Sequence, residues 1–159
     1  MRHTLFALLL SAVLALTACG GSQKQQIGSE LGLDLSQAAI VQSEDSHSGF
    51  LGDGSTRVVL SLPEGEAVEA IRSNWTPFPL DQTAETLLYG ISPGEYPDGP
   101  YLTREDGTPM VPEIRNGFYL LLDRQETQEV PLLERYSFNF TLAVYDADSG
   151  YLYYCQLDT

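Results

Sequence analysis

The sequence predicts an α+β fold: a single domain built on an antiparallel sheet, with one or two short helices and a C-terminal β-hairpin. Three observations point there. Tyr136, Phe138, Phe140, Leu142 and Val144 alternate with Ser137, Asn139, Thr141 and Ala143, the period-two pattern of a strand. Strand-like runs lie near both ends of the body and helix-like runs lie between them, an order typical of α+β domains. Asp-Gly and Asn-Gly pairs punctuate the second half, and such pairs favour the tight turns of antiparallel hairpins.

Taken in order, Met1-Arg2-His3 gives a short positive start, and residues 5–16 are apolar except for Ser11. That run is too short for a membrane span, which needs about 20 residues, but it fits the core of a secretory leader. Residues 19–37 begin polar and small and read as a flexible tether, whose roughly 15 coil residues would span roughly 20 Å. Leu31, Leu33 and Leu35 alternate at its end and suit docking on the domain. Residues 38–159 read as one domain with no internal repeat. Within it, 38–41 and 56–62 are strands and 43–54 is a polar loop.

Pro63 and the acids Glu64 and Glu66 open a helix that should end near Asn74. Residues 75–80 form an extended, proline-broken link. Asp81 caps a second helix through Tyr89, with Gly90 just past its end. Residues 91–100 are a proline- and glycine-rich loop, and residues 101–110 fold over a turn at Glu105-Asp106-Gly107. After Asn116-Gly117 the continuous apolar run Phe118–Leu122 suggests a central strand buried on both faces. The final hairpin turns at Asp146-Ala147-Asp148-Ser149-Gly150 and returns over residues 151–157.

The apolar leader ends in Leu16-Thr17-Ala18-Cys19, which resembles the lipobox of bacterial lipoproteins. The resemblance implies removal of residues 1–18, acylation of Cys19, and a body held by acyl chains on the extracytoplasmic face of a membrane. Two acyl chains suffice for stable anchoring. The chain carries 8 basic and 22 acidic residues, a formal charge of −14. Arg2 leaves with the leader and no acid does, so the remainder stands at −15. Such a body repels phosphate backbones and anionic headgroups, which argues against nucleic acid as a partner.

Candidate chemistry centres on Ser43-Glu44-Asp45-Ser46-His47-Ser48-Gly49-Phe50-Leu51-Gly52-Asp53-Gly54. His47 is the one histidine beyond the leader, and in an extended segment Asp45 and His47 point to one side. Asp45, His47 and Asp53 supply the residue types of a ligand or partner contact. They are also the types of a small hydrolase or metal-dependent enzyme, although a triad is defined by geometry rather than by crowding in sequence. The spacing Asp-x-His-x-Gly-Phe-x-Gly-Asp-Gly resembles a stretch of uncharacterised bacterial lipoproteins. That likeness extends to Gly99-Pro100-Tyr101-Leu102-Thr103 and the final hairpin, and it implies the lipoprotein assignment but no mechanism.

Asp146 and Asp148 hold two positions of a calcium loop, but Gly150 falls one place early, so a hairpin turn explains them and a weak calcium site is the alternative. Trp75, Phe78, Tyr89, Tyr96 and Tyr101 suit core packing or a platform for a glycan or peptide. With Cys19 acylated, Cys155 has no partner within the chain and reads as a buried strand residue, a reactive thiol or an intermolecular bridge. Three functions remain open: a non-enzymatic binding module for a cell-surface protein or small ligand, a small hydrolase or metal-dependent enzyme, and a weak calcium or glycan binder. No cofactor is expected, because nucleophile-elbow, phosphate-loop and zinc-helix motifs are missing from the sequence.

Overall fold

A computed structural model describes residues 21–47, 52–91, 98–125 and 129–159. The leader and Cys19 lie outside the described residues. Strands β1 (Ala39–Asp45), β2 (Gly54–Ser61), β3 (Thr76–Pro77), β4 (Gly117–Asp123), β5 (Asn139–Asp146) and β6 (Tyr151–Asp158) form one antiparallel sheet. Their order is β1-β2-β6-β5-β4-β3. Three helices pack on it: α1 over residues 21–31, α2 (Glu66–Asn74) and α3 (Gln82–Tyr89). The α+β class and the C-terminal hairpin are therefore present, with one helix more than the sequence suggested.

The additional helix replaces most of the expected tether. Ile27 and Leu31, one helical turn apart, are 3% and 5% exposed, and Leu33, Leu35 and Ala38 continue the buried surface beyond the helix. Fully burying one such aliphatic side chain stabilises by about 1.5–3 kcal/mol, which offsets the entropy of ordering the segment. Gly32, at φ 68°, ends α1 in the left-handed conformation that a side chain resists, and the Leu33 amide donates to the Gly28 carbonyl at 2.8 Å. Lys24 Nζ then donates to the carbonyls of Ser36 and Ala38 at 3.0 and 2.9 Å, tying the helix to the chain that follows.

The sheet is covered on both faces. On one, α1, α2 and Trp75 pack over Val58, Leu60, Ala143, Tyr145, Leu152 and Tyr154. On the other, α3 and the 102–114 segment pack over Val59, Phe140, Leu142, Val144, Tyr153 and Cys155. The small and polar positions of the last hairpin, Thr141 and Ala143, therefore face helices rather than solvent, and both are fully buried. The central strands are β2, β6 and β5, not β4. β4 has only the two-residue β3 outside it, and most of its residues are half-buried. The alternating run also starts before its strand does: β5 begins at Asn139, Phe138 packs on Tyr101 with ring centroids 4.9 Å apart, and Tyr136 is fully exposed.

Capping at α3 is as the sequence reads. Asp81 Oδ1 accepts from the Ala84 amide at 2.8 Å, while its Oδ2 accepts from the Tyr119 hydroxyl at 2.9 Å. α2 has no side-chain cap. Glu66 and Glu69 in its first turn complement the helix dipole, and Arg72 in its last turn makes a forked ion pair with Glu64 at 3.0–3.1 Å.

Candidate functional site

The chemistry-bearing side chains gather where the β1–β2 hairpin opens toward its loop. Register places Asp45 opposite Thr56, and Gly54 opposite Asp158 on β6. His47 lies just beyond β1, above this end of the sheet. Its backbone packs so closely on Gly54 that a Cβ there would fall 2.5 Å from His47 Cα, so the position requires glycine.

Both His47 ring nitrogens face carboxylates. Nδ1 lies 2.7 Å from Asp45 Oδ1, and Nε2 lies 3.1 Å from Asp158 Oδ2. Asp45 Oδ1 also accepts from the His47 amide at 2.9 Å. Arg124 Nη2 donates to the other Asp158 oxygen at 2.7 Å, which completes a chain of alternating charge. The Asp45 hydrogen bond raises the imidazole pKa above its ordinary value; burial opposes this and Asp158 adds to it. The Asp45 carboxyl is held below the usual range, first by the His47 amide and then by the His47 ring. Two acceptor carboxylates, one at each ring nitrogen, favour the imidazolium form and tie the hairpin to β6.

The sequence foresaw the Asp45–His47 pair. Asp53 does not join it: it is exposed, and the cleft beside His47 is lined without it. Asp158 takes its place from 111 residues away, a pairing no local motif announces. The cleft, about 310 Å³, runs beneath α1 to Glu30. Glu30 accepts from Thr141 Oγ1 at 2.5 Å, Tyr154 Oη at 2.6 Å and Gln156 Nε2 at 3.2 Å, and so pins α1 to the sheet. Burial, then the Glu30 contact, pushes the Tyr154 phenol far up.

On the opposite face at the same end of the sheet lies a second cleft, about 560 Å³, between β1–β2 and the 103–109 turn. Arg57, 4% exposed, projects toward it from β2. Its Nε donates to the Met110 carbonyl, its Nη1 donates to Gln42 Oε1 at 2.8 Å, and its guanidinium lies over the Tyr153 ring at 5.8 Å. Burial, then the neighbouring Arg104, lowers the Arg57 pKa. Glu44 is shared by both arginines at 3.7 and 3.8 Å, beyond hydrogen-bond reach.

The remaining candidates are structural. Asp146 accepts from the Asp148 amide at 3.0 Å and the Ser149 hydroxyl at 2.6 Å, and Asp148 accepts from Asn116 at 2.8 Å, so both serve the hairpin turn. Trp75 packs on the α1–α2 face, while Phe78 and Tyr89 together line a groove on the other, so Trp75 shares no platform with them. Tyr96 lies outside the described residues. Cys155 is fully buried, and burial raises its thiol to about 12, which identifies it as a core residue. Among the described residues no three His, Cys, Asp or Glu side chains are grouped to hold a metal, and no helix is long and apolar enough to cross a membrane. Compared with protein-family models, curated proteins and solved structures, the chain matches none.

Proposed function

We propose that the chain is a lipid-anchored, extracytoplasmic binding module for a small ligand or cell-surface partner, not an enzyme. The supporting observation is the double engagement of His47. A general base needs a ring nitrogen free to take a proton, and both nitrogens here already face Asp45 and Asp158 within 3.1 Å. Cys155 offers no nucleophile at neutral pH, since its thiol is buried and its pKa is about 12. Two clefts that open to solvent flank β1, one on each face of the sheet. The acyl chains on Cys19 serve as the membrane anchor, and the acidic body makes nucleic acid an unsuitable partner.

The test is a turnover panel of chromogenic esters, amides, phosphoesters and glycosides, run on the full chain in detergent with His47→Ala alongside. The reading predicts no turnover that His47→Ala removes. Hydrolysis of any class that falls at least tenfold in the variant, with the variant still folded, overturns it.

A further inference from the structure

We propose that the cleft between Arg57 and Arg104 binds a zwitterion, a free α-amino acid or a short peptide, with its carboxylate on the two guanidinium groups and its ammonium toward the acidic rim. This deepens the binding-module reading and rests on it.

The argument begins with charge. After the leader the chain holds 7 basic residues against 22 acidic ones, yet two of the seven converge on one carboxylate, Glu44. Three of the others, Arg72, Arg124 and Arg135, each hold a carboxylate oxygen within 3.1 Å. Arg104 does not. Its Nε is buried without a hydrogen-bond partner, and its nearest carboxylate oxygen is 3.8 Å away. Leaving a buried donor unmade is destabilising, and setting a second guanidinium beside it adds repulsion. Stability alone does not call for this arrangement, whereas an incoming carboxylate offsets the repulsion by pairing with the partly exposed Arg104 guanidinium where it lines the cleft.

The site is built rather than incidental. Arg104 stands on a tight turn closed by its amide to the Thr108 carbonyl at 2.8 Å and by the Gly107 amide to its own carbonyl at 2.9 Å. Asp106 braces that turn by accepting from the Thr108 amide and hydroxyl. Arg57 is fixed independently by β2 and its contacts to Met110 and Gln42. The cleft of about 560 Å³ between them accommodates a single amino acid or dipeptide.

The rim narrows the ligand class. Asp45, Glu105 and Asp106 also line the cleft. These carboxylates oppose a doubly charged phosphate but complement an ammonium a few ångströms from the carboxylate. An α-amino acid or short peptide carries that pair of charges; a simple anion does not.

The experiment is calorimetric titration of the full chain in detergent. The probes are the twenty common L-amino acids taken singly, L-alanyl-L-alanine, its N-acetylated and C-amidated forms, and inorganic phosphate. Arg104→Gln is titrated in parallel, its fold checked by circular dichroism; Arg104 is partly exposed, so the variant should fold. The expected result is saturable binding of at least one uncapped zwitterion, weakened at least tenfold by Arg104→Gln. If the dipeptide is the binder, each cap weakens it at least tenfold as well. The proposal is overturned if no zwitterion binds, if phosphate binds in preference, if a capped dipeptide binds as well as the free one, or if Arg104→Gln binds undiminished. None of these depends on His47, so failure here leaves the turnover test of the module reading intact.

Discussion

At the scale of single residues, the site is a balance of charges around His47. The folded state raises its pKa, so the imidazolium's contribution to stability is complete below the unfolded value near 6.5 and is lost as pH rises through the raised folded value. Asp45 works in the opposite sense: its lowered pKa contributes above the ordinary carboxylate value and is lost as pH falls through the folded one. The melting-temperature gap between the native chain and His47→Ala is therefore expected to be widest below about pH 6.5 and to shrink as pH rises above it. A gap that widens with rising pH contradicts the double engagement. The sequence disclosed the Asp45–His47 half of this arrangement because the two are near neighbours in an extended segment. It could not disclose Asp158, Glu30 or the Arg57–Arg104 pair, because each meets its partners only after distant strands and turns come into register.

At the scale of elements, α1 is the largest departure from expectation. Gly20, Gly21 and Ser22 beside Cys19 imitate a linker, and the glutamines that follow carry no apolar periodicity. The helical evidence was confined to Ile27 and Leu31, four apart, with Gly32 as a stop. Its stability comes from packing rather than propensity, as expected for a helix this short. Leu31→Ala is accordingly expected to cost about 2–5 kcal/mol in urea unfolding, since Leu31 is 5% exposed. A loss under about 0.5 kcal/mol would restore the tether. β5 and β6 were legible because alternation survives in their sequence. That the polar side of β5 is buried was not, because Thr141 is satisfied by Glu30 on a helix absent from the sequence reading. β4 misled for a related reason: a continuous apolar run marks burial on both faces only when long neighbours flank it, and β3 is two residues long.

At the scale of the whole molecule, anchor and fold combine. α1 is already helical two residues past Cys19, so an acylated cysteine would hold the body against the bilayer instead of on a long leash. With residues 1–18 removed, as proposed, the body's net −15 gives it no attraction for anionic headgroups, so in that reading the acyl chains would carry the attachment. Cys19→Ser is expected to move the chain from the membrane to the soluble fraction, and a high-salt wash is expected to leave the native chain in place. Release of the native chain by salt would mean that charge rather than lipid holds it. The central claim is that His47 is a doubly engaged imidazolium clasp and not a free base. The most direct measurement is an NMR titration of the folded full chain with labelled imidazole nitrogens. His47 should have a pKa above 6.5, with both ring nitrogens protonated just below that value. A pKa below the ordinary value, or one nitrogen unprotonated throughout, would contradict the claim and return His47 to the catalytic candidates.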